Sequence, residues 1–119
     1  MTKEYSISEL SKEFDITART IRHYEELGLL LPKRLGTQRV FSTGDHVRLG
    51  LILRGKRIGF SLNEISEIIT MYDQDEGEQQ QTSFLLDKVR NRREKLINQQ
   101  KDIKSMLLEL DNIENKLQQ

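Results

Sequence analysis

Residues 17–28 read TARTIRHYEELG, and both ends of a helix are written into them. Thr17 brings a hydroxyl that accepts an orphan backbone N–H at the start, and Gly28 brings a residue at ease in the left-handed conformation that stops a helix. Between them Ile21 and Leu27, with part of the Tyr24 ring, are expected to face a core. Arg19, Thr20, Arg22, His23 and Tyr24 put two cations and several hydrogen-bonding tips close to the first turns. That mixture suits a helix pressed against a polyanion, where arginines meet phosphates or guanine edges. It also fits an ordinary amphipathic surface helix, so the flanking sequence has to decide.

Upstream, Tyr5-Ser6-Ile7-Ser8-Glu9-Leu10 opens an earlier helix, and Ser6 with Glu9 has capping-box spacing. Ile7, Leu10 and Phe14 form one stripe, and Asp15-Ile16 makes a short turn with an apolar plug. Two short helices joined by a tight turn, apolar on their inner faces, give a helix-turn-helix signature. Downstream, residues 29–41 read LLLPKRLGTQRVF. Pro32 bars a helix, the flanks favour strand, and Gly36 with Thr37 can turn the chain. The expectation is a two-stranded hairpin carrying Lys33, Arg34 and Arg39, which beside a helix-turn-helix is a wing; the alternative is a plain basic loop.

Ser42 and Asp45 start a third helix from about Thr43 to Ile58, with Val47, Leu51 and Ile58 inward and Leu49, Ile52 and Leu53 widening the stripe. Arg54-Gly55-Lys56-Arg57 near its end suits the helix dipole and could also touch phosphate. Gly59 stops it. Ser61-Leu62-Asn63-Glu64 is a capping box for a fourth helix to about Tyr72, with Leu62, Ile65, Ile68 and Ile69 buried. Residues 73–82, DQDEGEQQQT, read as an acidic linker or frayed junction.

From about Ser83 to Leu117 the chain is long, charged and free of Gly and Pro. Alternating steps of three and four pick out Leu86, Val89, Arg93, Leu96, Gln100, Ile103, Leu107, Leu110, Glu114 and Leu117, of which seven in ten are apolar. A seam repeating every 3.5 residues marks a coiled coil, with the polar members fixing register. Such a helix spans about 50 Å and would leave its seam in water without a partner. A two-stranded coil between two copies is the simplest solution. Ile97, Met106 and Ile113 lie outside the strict seam and are available to a partner's globular part or a third helix.

The 119 residues carry a formal net charge of zero, but the average hides two halves. Residues 1–60 hold 11 Lys/Arg against 7 Asp/Glu, and residues 61–119 hold 8 against 12. A basic half followed by an acidic one looks like a nucleic-acid module joined to something else. With no cysteine, disulfides and thiolate metal sites are excluded. No apolar run reaches the roughly 20 residues of a membrane span, and the polar N-terminus does not read as a signal peptide, so a cytoplasmic location is expected. His23 and His46 are isolated, and no Gly-rich phosphate loop or nucleophile constellation exists. No catalytic residue, cofactor or metal site is expected, and an enzyme is not.

The order of these parts resembles the MerR family of bacterial transcription regulators. The likeness rests on residues 5–10, on Thr20-Ile21-Arg22-His23-Tyr24-Glu25-Glu26-Leu27-Gly28-Leu29-Leu30, on Arg39-Val40-Phe41-Ser42 with Asp45, and on Ile58-Gly59-Phe60-Ser61-Leu62-Asn63-Glu64-Ile65. Residues 54–60 look most like the subgroup regulating leucine, isovalerate and related acyl-CoA breakdown. The resemblance implies a mainly α fold: a winged helix-turn-helix of four helices plus a small β-hairpin, then a long dimerisation helix forming an antiparallel coiled coil. It divides the chain into a DNA-binding domain at 1–73, an acidic linker at 74–82 and a dimerisation helix at 83–119. It implies a homodimer on a pseudo-palindromic promoter, distorting the spacer so that RNA polymerase engages both promoter elements.

Carried onto matching positions, the resemblance has Arg22 and Tyr24 holding phosphates, Arg39 anchoring the wing to the DNA backbone and Arg19 near a base edge. Thr17, Thr20, His23, Lys33 and Arg34 complete the expected DNA-facing set. Leu86, Val89, Leu96, Ile103, Leu107, Leu110 and Leu117 form the expected dimer seam. Family wings often read Gly-Tyr-Arg-x-Tyr, whereas Thr37-Gln38-Arg39-Val40-Phe41 lacks both phenols. Many relatives continue into an effector domain or a Cys-containing metal loop, and this sequence stops with the long helix. That leaves a second expectation, an effector-less interaction protein that heterodimerises with a full-length relative. A small organic effector such as an acyl-CoA could occupy a dimer crevice, though no residue pattern identifies one.

Overall fold

The computed structural model describes residues 3–73 and 78–119. They belong to two units, Met1–Glu76 and Gly77–Gln119. In the first unit the local start and stop signals set the elements. Helix α1, Ile7–Phe14, begins with a complete capping box: the Glu9 N–H donates to Ser6 Oγ and the Ser6 N–H donates to Glu9 Oε1, both at 3.0 Å. It ends at Asp15, whose φ of 54° is the left-handed cap that Asp tolerates better than most residues. Helix α2, Ala18–Glu26, follows at once, with the Thr17 hydroxyl accepting the Thr20 N–H at 3.1 Å. The Ser11 hydroxyl donates to the Ile16 carbonyl and so tightens the turn between them.

Gly28, at φ 79°, sends the chain out of α2 and drops Leu29 and Leu30 into the core. Leu27 was expected there instead, but it is 47% exposed. Six residues beyond Ile21, it has rotated about 120° away from the buried face. Strands β1, Lys33–Leu35, and β2, Gln38–Val40, pair antiparallel around Gly36-Thr37, with Lys33 opposite Val40, Arg34 opposite Arg39 and Leu35 opposite Gln38. At the foot of this hairpin Phe41, fully buried, exchanges two backbone hydrogen bonds with Tyr5, at 2.8 and 2.9 Å.

Helix α3, Thr43–Arg57, and helix α4, Leu62–Asp73, start with the capping boxes Ser42/Asp45 and Ser61/Glu64. The inward face of α3 is not the one the sequence suggested. Val47 and Ile58 are exposed, whereas Asp45, Leu49, Ile52 and Gly55 are buried. Two contacts from outside the helix choose that face. The Asp45 carboxylate accepts the Leu31 N–H at 3.0 Å, and Gly55 packs so close to α4 that a Cβ there would lie 2.8 Å from Ile65 Cγ1. Ile65, Ile69 and Phe60 complete the core with Leu10, Ile21 and Tyr24.

The second unit is one helix, α5, Glu78–Leu117, of 40 residues and so about 60 Å long. It begins inside the stretch read as linker, because Glu and Gln at 78–81 are good helix formers; residues 74–77 lie outside the described ones. Among its described side chains none is buried. Val89 is half-buried, while the rest of the expected seam is open, from 43% at Leu86 and Leu96 to 81% at Leu117. No helix among the described residues is long and apolar enough to cross a membrane.

Candidate nucleic-acid interface

Helix α2 is held from one side only. Ile21 is fully buried and Tyr24 nearly so, which turns Arg19, Arg22 and His23 outward. Neither Arg19 nor Arg22 forms an ion pair with a described residue. Two guanidinium groups one turn apart, unpaired and water-facing, can each meet a phosphate or a base edge. Thr17 is exposed, and its hydroxyl is occupied in the cap and against the half-buried Thr20 hydroxyl at 2.9 Å. Thr17 thereby sets where α2 begins and how the first turn, which carries Arg19, is presented. Burial pushes the Tyr24 phenol above its ordinary pKa, so the hydroxyl stays a neutral donor across the physiological range. Its ring is part of the core.

The hairpin carries the other cations. Lys33 and Arg34 are exposed, and Arg39 is half-buried. Arg39 was expected to hold the wing against a DNA backbone. In the structure its Nε donates to both oxygens of Glu25, at 2.9 and 3.2 Å, and so ties the wing to α2. Arg34 Nη2 lies 3.6 Å from the same carboxylate. The sequence reading assigned Glu25 no role. The pairing partner is fourteen residues away, so no local spacing points to it.

Asp45 was read only as a cap, and it does more. Besides Leu31, its carboxylate accepts the Ser42 N–H at 3.1 Å and Arg48 Nη1 at 3.4 Å, and Arg48 reaches on to Asp73 at 3.2 and 3.3 Å. One buried anion therefore joins the chain entering the hairpin, the chain leaving it and α3. The dimer candidates Leu86, Val89, Leu96, Ile103, Leu107, Leu110 and Leu117 all lie on α5, far in sequence from these cations.

A family model described as MerR HTH family regulatory protein matches residues 5–72, and one described as MerR, DNA binding matches residues 47–113. The chain is 33% identical over 111 residues to the mercuric resistance operon regulatory protein of Bacillus cereus, covering 90% of this chain and 83% of that protein. A crystal structure of a MerR family transcriptional regulator from Bacillus cereus matches with a TM-score of 0.76 at 31% identity, over 98% of this chain and 84% of that one. The crystal structure of HiNmlR, a MerR family regulator lacking the sensor domain and bound to promoter DNA, matches with a TM-score of 0.54 at 25% identity, over 79% of each chain. The chain spans about half the length of several other curated relatives that it matches.

Proposed function

This chain belongs to the MerR family of helix-turn-helix regulatory proteins, and on that premise we propose that it is a sequence-specific transcription regulator that binds promoter DNA as a homodimer. The observation that carries the reading is the outward face of α2, where Arg19 and Arg22 are exposed with no ion pair among the described residues and His23 is exposed on the same helix. Residues 1–73 act as the DNA-binding domain. Arg19 reaches a base edge, Arg22 and the Tyr24 hydroxyl take phosphates, and Lys33, Arg34 and the Nη edge of Arg39 take the backbone beside the wing. Thr17, Thr20 and His23 lie along the same turns.

Residues 83–119 pair with a second copy as an antiparallel two-stranded coil, which covers the open seam of α5 and sets the distance between the two recognition helices. The relative bound to promoter DNA supports a promoter target. Bound at the spacer between the two promoter elements, the dimer bends and untwists it so that RNA polymerase engages both. The deformation cost is repaid by contacts from both wings.

A footprint of the purified protein on its own upstream DNA, at stated salt, tests this. Symmetric protection lying between a −35 and a −10 element is expected. Folded, dimeric protein that protects no promoter would overturn it.

A further inference from the structure

Arg34 and Arg39 stand directly opposite one another in the hairpin. Like charges at such a cross-strand pair repel, and a ribbon of two short strands is barely stable alone. Glu25, near the end of α2, answers both problems. Its carboxylate takes Arg39 Nε on both oxygens and lies within ion-pair range of Arg34. The Glu25 and Arg39 side chains are 19% and 22% exposed, against 55% for Arg34, so the inner pair is shielded from water and salt. Glu25 uses the Nε edge of Arg39 and leaves its two Nη atoms without a partner among the described residues. A guanidinium gripped on that edge keeps its outer donors aimed in one direction.

Building on the DNA-binding reading above, we propose that Glu25 is a positioning residue that sets specificity: it locks the wing to the recognition helix at the cost of general phosphate attraction. Its negative charge opposes every phosphate, whatever the sequence. Its hold on Arg39 matters only where α2 and the wing must dock together in one geometry, which is at the operator. There, a wing fixed in advance has less freedom to lose on binding. Glu25 thus weakens binding to arbitrary duplex while strengthening binding to the operator.

The test uses the full chain and Glu25→Gln, which removes the charge and keeps the shape. Affinity is measured on the footprinted promoter duplex and on a scrambled duplex of equal length and composition, at one salt concentration. The ratio of the two affinities should fall about tenfold in the variant, with scrambled-duplex binding slightly raised. In an Arg39→Ala background the same substitution should move the ratio by less than about twofold. A variant that is merely less folded loses both affinities by one factor, so an unchanged or raised ratio overturns the proposal. A nitrogen-15 spectrum of the free protein gives a second readout: a distinct, protected Arg39 Nε–H signal in the wild type, lost in Glu25→Gln. Identical spectra would overturn the clamp itself. A wild type that does not prefer the promoter duplex overturns the DNA-binding reading, whereas a preference kept whole by Glu25→Gln overturns only this inference.

Discussion

Helix α2 has nine residues, with Ile21 and Tyr24 buried; helix α5 has forty and, among its described side chains, none buried. The short helix is below the length that holds in water by itself. It stands because a Thr17 cap, a Gly28 stop and two anchored side chains hold it, and that leaves its polar face free for a ligand. The long helix has no such anchor in its own unit. It is continuous because Gly and Pro are absent, and its apolar row from Leu86 to Leu117 stays in water. The first unit has a buried core of its own, and the second has none among its described side chains. On the proposed function, the first meets a polyanion and the second meets its own copy.

The sharpest way to separate these two roles is to attack each at its own source of burial. Leu107→Asp puts a charge into the proposed seam and should weaken the dimer by about a thousandfold or more, leaving residues 3–73 folded. Sedimentation with far-ultraviolet dichroism checks both halves, and a variant that remains dimeric would show that the seam is drawn on the wrong face. Asp45→Ala is the converse. It strands the Leu31 and Ser42 N–H groups and the inner side of Arg48, and should lower the stability of the first unit by about 3 kcal/mol in urea unfolding. The dimer should persist under native conditions. A loss under about 1 kcal/mol would mean that the carboxylate contributes only a helix cap.

The contrast also explains what the sequence could and could not say. Helix starts depend on residues three apart, and Ser6/Glu9, Ser42/Asp45 and Ser61/Glu64 all formed the boxes their spacing suggested. The hairpin followed from Pro32 and Gly36 for the same local reason. The face of α3 was not legible. Residues 47–53 read VRLGLIL, with apolar side chains at five of seven positions, so no period prefers one face. The choice comes from Leu31 fourteen residues before Asp45 and from Ile65 beyond Gly55. Glu25 escaped notice for the same reason, since its partner Arg39 is brought to it only by the hairpin fold. On α5 a long helix was legible from its period but its start was not, because Gln79-Gln80-Gln81 reads as linker and as helix alike.

Within the first unit, Arg22→Ala tests the polar face without touching the core. It should weaken operator and scrambled duplex alike, by about tenfold, and flatten the salt dependence by about one unit. Thermal unfolding should not move, because Arg22 is exposed and forms no ion pair among the described residues. An unchanged salt slope would remove Arg22 from the phosphate contacts and leave Arg19 and the wing to supply them.

The smallest effect belongs to the α1 cap and comes with a sign that pH can read. Glu9 accepts the Ser6 backbone N–H and, with the Ser6 hydroxyl contributing next, its pKa is held below the ordinary glutamate value. A carboxyl depressed in the folded state adds stability above its unfolded pKa and loses it as pH falls through the folded one. Wild type should therefore exceed Glu9→Gln in stability at neutral pH, with the gap closing on acidification below the ordinary glutamate range. Because the group is fully exposed the gap is small, and added salt should narrow it. Carbon-detected titration of the Glu9 carboxyl gives the direction without reference to stability. A midpoint at or above the ordinary value would mean that the α1 box does not persist in solution, and that α1 is held in place by Leu10 and the Tyr5–Phe41 bridge instead.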